Sequence, residues 1–400
     1  MLDTSRTPAH QDSTLTAPRW CAVGRSNDSD AARAGASATQ AALRHDDAKL
    51  LVVFCSDTYD LDALARGIAD TAPGVPLIGC TTAGEIATAS AGDATVVVFA
   101  LGGDGFSVST ALATDTAEDP RHAGERAAAC LRAVEDRAHR VLVLLSDGLA
   151  GGQQEVVRGA YNVAGANVPL VGGCAGDQLK MVRTFQLFDG QVFQNAVVGA
   201  AIASDAPLGI GIYHGWNKVG EPVVVTGSTG TRVQTLNHEP ALDVYLDRLG
   251  APEAAYHDPA AFTEFGLTHP LGVDRRSGTE VRLVVDANFE DRSLGFIADI
   301  AEGGMAWFME GDAGTVMDAT DVACESALAA LNGAAPIGVL AFDCVARRGV
   351  IGDGGMHDEV ERIARHAACD VAGFYSYGEI ARTHGINGFH NQTLVVLALS

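Results

Sequence analysis

Two glutamates in near-identical settings are the first residues of this 400-residue chain with a chemistry to offer. Glu85 stands in Gly79-Cys80-Thr81-Thr82-Ala83-Gly84-Glu85-Ile86-Ala87, and Glu379 in Gly373-Phe374-Tyr375-Ser376-Tyr377-Gly378-Glu379-Ile380-Ala381. A looser third copy, Pro169-Leu170-Val171-Gly172-Gly173-Cys174-Ala175-Gly176-Asp177, ends in Asp177. A glycine just past a strand admits positive φ and the close approach of another group. Gly79, Gly84 and Gly173, with Thr81 beside them, are therefore expected to form a rim on which the three acids converge. There the acids would meet a ligand ammonium. Alternatively, Glu85 and Glu379 would split their pKa values and serve a hydrolase as acid and base. The same residues also suit a local task, with glycines closing turns and acids accepting from nearby N–H groups.

Other side chains could complete a site. His214 lies in the strand-like run Leu208 to Trp216, where Leu208, Ile210, Ile212, His214 and Trp216 share one face. Gly211 and Gly215 leave room beside it, which makes His214 the candidate ligand of a haem iron; a core histidine bonded to backbone is the alternative. His390 and Asn391 occupy a tight turn close to the Glu379 copy. Arg282 and Arg347 border apolar strands, where a guanidinium suits a carboxylate or propionate, or a pairing with Asp286 and Asp343. Tyr375 and Tyr377 flank Ser376, so both hydroxyls face the rim unless the rings serve packing. Cys344 ends an apolar strand, where it is a conceivable thiolate ligand, the alternative being an inert buried thiol.

The surrounding elements repeat as well. Apolar runs ending in an acid, Leu50 to Asp57, Val141 to Asp147 and Ile337 to Asp343, precede the copies. Second apolar runs, Thr95 to Leu101, Asn195 to Ile202 and Thr393 to Leu399, follow them. Self-similarity at this scale implies one supersecondary unit used several times, here strand, helix, strand, glycine turn, strand. Helices are expected over 28–44, 57–72, 121–134, 153–166, 241–249 and 318–331. The continuous apolar strands suit sheets covered on both faces. The fold class is α/β with mixed sheets. Asp189-Gly190 marks a two-residue hairpin, another hairpin is expected around Gly227 to Gly230, and Val281 to Val285 is expected to pair with Ser293 to Ile297. Pro252, Pro259 and Pro270 mark a loop-rich passage. Residues 1–18, rich in Thr, Ser and Pro, are expected to be a disordered tail.

Several function classes are disfavoured. No G-x-G-x-x-G or G-x-x-x-x-G-K-[ST] phosphate cradle is present; His238-Glu239 lacks the second histidine of a zinc helix, and Phe374 replaces the first glycine of a nucleophile elbow. A net charge of −23, with lysine only at 49, 180 and 218, argues against nucleic acid or anionic membrane as partner. No apolar run is long enough to span a bilayer, the first residues lack a signal-peptide core, and the eight cysteines form no C-x-x-C pair. A cytoplasmic location is the expectation.

The residues carry a family resemblance. Val52 to Ser56, Tyr59 to Asp62, Gly79 to Ile86 and Gly172 to Asp177 resemble the FIST N-terminal domain. Glu239 to Tyr245, Val281-Arg282, Cys344 to Arg347, Gly373 to Ile380 and Phe389 to Thr393 resemble the FIST C-terminal domain. The resemblance implies domains at 19–238 and 239–400 and a bacterial sensory protein, not an enzyme, that binds a small ligand and passes the signal to a partner such as a histidine kinase. Stand-alone members include the nitric-oxide-sensing haem proteins of the NosP group, to which this chain is similar; that implies haem b and a diatomic gas. The non-haem alternative is an amino acid, its ammonium on Glu85, Asp177 or Glu379 and its carboxylate on Arg282 or Arg347.

Overall fold

The computed structural model describes residues 18–400 apart from 89, 94, 276, 277 and 384–387. The expected tail falls almost wholly outside them.

The first unit runs β1 Trp20–Ser26, α1 Ala31–Ala42, β2 Ala48–Cys55, α2 Leu61–Thr71, β3 Leu77–Thr81, the short strands β4 Glu85–Ala87 and β5 Ser90–Gly92, then β6 Val96–Gly102. The second repeats it: β7 Phe106–Thr114, α3 Pro120–Ala127, β8 His139–Ser146, α4 Gln153–Ala164, β9 Leu170–Cys174, the hairpin β10 Gln186–Phe188 and β11 Gln191–Phe193, then β12 Ala196–Ser204. The third opens with β13 Leu208–Tyr213 and is interrupted by an insertion. That insertion holds β14 Asn217–Thr229, β15 Arg232–Leu236, β16 Glu239–Pro240, α5 Ala241–Leu249, α6 Pro259–Thr268, β17 Leu271–Arg275, β18 Gly278–Arg282, β19 Val284–Asn288, β20 Ser293–Phe296 and β21 Met305–Glu310. The unit then resumes with α7 Ala313–Ala329, β22 Gly338–Cys344, α8 Val345–Ala367, β23 Val371–Ser376, β24 Glu379–Arg382, β25 Phe389–His390 and β26 Leu394–Leu399.

Local chemistry explains the helix starts. Asp30, Asp60, Asp119 and Asp312 each accept from a backbone N–H in the first turn of α1, α2, α3 and α7. Pro259 opens α6, where the missing N–H has no intrahelical partner to lose. The proline cluster thus contains a helix where the sequence suggested loop.

Within each unit the strands before and after the second helix pair in parallel, as β2 with β3, β8 with β9 and β22 with β23. The strand after the glycine corner leaves its own sheet. β4 pairs with β23 of the third unit, β10 with β3 of the first, and β24 with β9 of the second. Each unit lends a short pair to a neighbour and receives one, so three six-stranded sheets close into a ring. Their inner faces meet in one core, where the rings of Phe54 and Phe374 lie 4.8 Å apart and Phe342 and Phe374 5.9 Å apart. The outer faces are covered by α1 and α2, by α3 and α4, and by α7 and α8.

The fold requires glycine where neighbouring strands of a sheet approach closely. Gly172 has φ 146°, and a Cβ there would fall 1.9 Å from the carbonyl oxygen of Leu144 on the adjoining strand. Gly172→Ala is expected to destabilise the protein by about 1–3 kcal/mol, as overpacking does. A urea-unfolding midpoint equal to the parent's would show that β8 and β9 can part there without penalty.

Candidate functional site

Backbone hydrogen bonds tie the three corners together in a cycle. Ala83 N donates to Tyr375 O at 2.9 Å and Tyr375 N to Gly84 O at 2.8 Å; Cys174 N donates to Gly378 O at 2.8 Å and Tyr377 N to Cys174 O at 3.1 Å; Thr81 N donates to Phe185 O at 3.0 Å and Gly176 N to Thr81 O at 2.9 Å. The three corners meet, and these bonds seal their junction. Gly79 lets β3 approach β2, since a Cβ would lie 2.6 Å from Val53 O, and Gly173 is packed beneath Phe374. Thr81 Oγ1 accepts from Phe185 N at 3.0 Å. These residues build the corners.

The acids are committed too. Glu85 accepts from Thr82 Oγ1, from Thr95 N at 3.1 Å and from Thr95 Oγ1 at 2.6 Å. Glu379 repeats the set with Ser376 Oγ at 2.7 Å, Thr393 N at 3.1 Å and Thr393 Oγ1 at 2.8 Å. Both stitch a corner to the start of the unit's last strand. Asp177 is not their counterpart. By register Glu85 faces Phe374, Glu379 faces Gly173, and the residue in that position on the second corner is Gln186, facing Cys80. Asp177 belongs to a loop inserted before Gln186, where it accepts from the N–H groups of Met181, Val182 and Arg183 at 3.0, 2.7 and 3.0 Å and from the Tyr377 hydroxyl.

Their titration differs accordingly. Burial pushes Glu85 and Glu379 up to about 7, against the opposing pull of their threonine and serine hydrogen bonds. At Asp177 burial also acts upward, but the Tyr377 and backbone donors outweigh it and the carboxyl is held low.

A second constellation lies where β22, β23 and α8 meet. Arg347, fully buried, donates from Nε to Asp343 at 2.7 Å and from Nη2 to Thr320 at 2.9 Å and Glu359 at 2.5 Å. Tyr375 O–H donates to Glu359 at 3.3 Å. Burial raises Asp343 well above the carboxylate range; at Glu359 it acts the same way, but Arg347 prevails and holds the carboxyl low. One proton on Asp343 then leaves Arg347 and Glu359 as a neutral buried pair, a structural clamp. The predicted pairing of Arg347 with Asp343 is observed. Arg282 bonds Glu280 at 2.8 Å, and its expected alternative Asp286 binds Arg232 instead.

The histidines do not suit a haem iron. His214 Nδ1 accepts the Trp216 N–H at 3.0 Å, which places the ring proton on Nε2 and leaves no lone pair for a metal. Burial, reinforced by the charges of His390 and Arg347, lowers His214 to about 4, so the ring is neutral. Its neighbouring glycines serve packing: Cβ atoms on Gly211 and Gly215 would meet Ala323 O of α7 at 1.9 Å and Thr315 O at 2.5 Å. His390 Nε2 is bonded to Ala381 O at 2.8 Å, and Asn391 Nδ2 donates to His390 O at 2.9 Å. Among the described residues no group of three or more His, Cys, Asp or Glu is placed to hold a metal.

Open space lies just outside the junction. A cleft of about 510 Å³ is bounded by Ala83 of the first corner, Gln178 and Leu179 of the second-corner loop, Asp93, and Val345, Arg348, Gly349, Gly352 and Asp353 of α8. None of Glu85, Asp177 and Glu379 reaches it. Its central cation is Arg348, which donates to Ala83 O at 2.7 Å and forks onto Asp93 at 2.8 and 2.9 Å. Gly84 makes room for that guanidinium, since a Cβ there would fall 2.6 Å from Nη1, and the Tyr375 ring supports it from 5.7 Å. The sequence reading singled out Arg347 and missed Arg348. Adjacent helical positions face different ways, and the tandem itself was the available signal.

Comparison with known proteins agrees with this architecture. Residues 49–239 match the FIST N domain and residues 241–382 the FIST C domain. The chain belongs to the FIST family. FIST domains are small-ligand sensory domains of signalling proteins. In this FIST protein the two matched regions share sheets, through β4 on β23 and β24 on β9. An uncharacterised protein of Methanocaldococcus jannaschii is 26% identical over 154 residues, which are 36% of this chain. The FIST protein spans 30% of that relative's length. A cyanuric acid hydrolase from A. caulinodans aligns with 46% of this chain and 71% of its own, at 13% identity and a TM-score of 0.27. T. maritima PurL complexed with ADP aligns with 95% and 71%, at 11% identity and a TM-score of 0.21. At such scores neither likeness carries an argument. No helix among the described residues is long and apolar enough to cross a membrane.

The corner glutamates set a pH dependence with a definite sign. Their folded pKa lies above the ordinary carboxyl value, so the fold holds the proton more tightly than the unfolded chain does. Their contribution is fully present below about pH 4.5 and is lost as pH rises through about 7. Gln186 shows that a neutral carboxamide fits the equivalent position. Glu85→Gln with Glu379→Gln is expected to flatten the stability profile between pH 5 and 8 and to stabilise at pH 8 by about 1–3 kcal/mol. Lower stability at pH 8 than the parent's would mean that the ionised forms are required.

Proposed function

We propose that this chain is a non-haem sensor of a small zwitterion such as a free amino acid, bound in the cleft beside the corner junction. The observation that carries this reading is the ion pair already in the cleft. Arg348 and Asp93 face one another as the mirror of an α-carboxylate and α-ammonium. A zwitterion exchanges the Arg348–Asp93 pair for two, its carboxylate taking the guanidinium fork and its ammonium taking Asp93. A simple anion would leave Asp93 unpaired, and a simple cation would leave Arg348 with Asp353 alone, at 3.4 Å. The cleft volume suits a ligand of this size.

The position also suits a sensor. Gly352, in the cleft wall, breaks α8 with φ 70° and ψ 171°. Arg347, next to the ligand-facing Arg348, clamps Glu359 on the far side of that break. Ligand contacts on Arg348 therefore act on a hinge whose two arms are tied through the core. A ligand shifts such an equilibrium by its difference in affinity for the two arrangements.

A thermal-shift series with individual amino acids, their decarboxylated amines and their deaminated acids tests the reading. One or more amino acids should raise the melting temperature while the matching amine and acid do not. Arg348→Ala should weaken that binding by about 10- to 100-fold, the value of charge-assisted hydrogen bonds. No shift with any zwitterion would remove the proposal.

The haem alternative makes its own prediction. Protein reconstituted with haem is expected to show no Soret band that depends on His214. A band lost on His214→Ala and shifted by nitric oxide would reverse the assignment.

A further inference from the structure

Two carboxylates in the cleft wall share the guanidinium of Arg348. Asp93 takes both Nη atoms, at 2.8 and 2.9 Å, and Asp353 stands beside Nη2 at 3.4 Å. Neither acid has another ion-pair partner among the described residues. The described wall therefore carries one more negative charge than positive. Gln178, also in the wall, spends its amide nitrogen on Ser56 Oγ at 3.2 Å and offers its oxygen. Apart from Arg348, the polar side chains lining the cleft are thus acceptors.

An amino acid with an uncharged side chain does not balance such a wall. Its carboxylate takes Arg348 from both acids, while its single ammonium answers Asp93 alone. Asp353 is then a bare carboxylate close to an incoming one, and like charges repel. A second cation on the ligand removes that repulsion and makes wall and ligand neutral together.

The place of Asp353 fixes where this cation sits. The Asp93 side chain is 49% exposed and that of Asp353 91%, so Asp353 lies nearer the mouth of the cleft. Leu179 and Val345 supply apolar wall for a methylene stem. Long cationic side chains lay their stems along such surface and keep the charged head in water. Asp353 also lies just beyond Gly352, where α8 breaks, whereas Arg348 lies before it.

We infer that the ligand is a basic amino acid, of the lysine, ornithine or arginine kind. Its backbone groups bind Arg348 and Asp93, and its side-chain cation binds Asp353 across the break in α8. This rests on the cleft being an amino-acid site. A neutral amino acid touches polar groups of α8 only on the arm before Gly352. A basic one bridges the two arms and so biases the angle between them. The net charge of −23 favours encounter with a cation.

Calorimetric titration of the full chain with matched pairs tests this: lysine against norleucine, and arginine against citrulline. Each pair differs in side-chain charge at similar shape. The basic member should bind about fivefold more tightly, the upper value for an ion pair with so exposed a carboxylate. Asp353→Asn, a change at the surface, should erase that preference. Norleucine and citrulline binding as tightly as their partners, or a preference that survives Asp353→Asn, would overturn the inference and leave the amino-acid site standing. No binding of lysine, ornithine or arginine would overturn it too, and binding of neutral amino acids in the same series would show that the site itself survives.

Discussion

The cyclic exchange of short strand pairs is the constraint on which the rest of this structure depends. A six-stranded sheet in any one unit is incomplete until a neighbour supplies β4 and β5, β10 and β11, or β24 and β25. The exchange requires the chain to leave its own sheet within a few residues of a strand end. That explains why the corners are rich in glycine and why Glu85 and Glu379 there accept from N–H groups at the start of the returning strands. Gly84 and Gly172, at φ 123° and 146°, occupy backbone that L-residues rarely adopt.

Much of the framework was legible in the sequence because the repeated pattern reports it directly. The parallel strand pairs, the returning strands and most helices fall within a few residues of their expected positions, and Asp189-Gly190 forms the expected hairpin with φ of 46 and 80°. The exchange itself was not legible. Pairing partners far apart in sequence leave no local trace, so β4 and β24 read as continuations of their own units. α8 was missed for a local reason: Gly349, Gly352, Gly354 and Gly355 dilute its helical signal, and one of them does break it.

The candidate site shows the same division. Motif resemblance brought Glu85, Glu379 and Asp177 to notice, yet the resemblance of Asp177 was false in register, since the true counterpart lies nine residues later at Gln186. Burial then decides roles that residue type leaves open. Arg347 and Arg348 are adjacent in sequence, but one is sealed in the core with Asp343 and Glu359 while the other faces solvent with Asp93. The sealed arginine holds the two halves of α8, and the partly buried one has a hydrogen-bonding fork that a ligand can compete for. Chemistry-bearing residues near a repeat are thus divided between those that build the junction and those that look out from it.

Sharing strands around a ring also bears on how the chain acquires its shape during synthesis. The second sheet lacks its edge until β24 appears at residue 379, and the third lacks a central strand until β26 is made at residues 394–399. Two of the three sheets therefore stay unfinished for as long as β24 and β26 are inside the ribosome's exit tunnel. Until those strands emerge, the unpaired edges of β9 and β22 stand open to other strands.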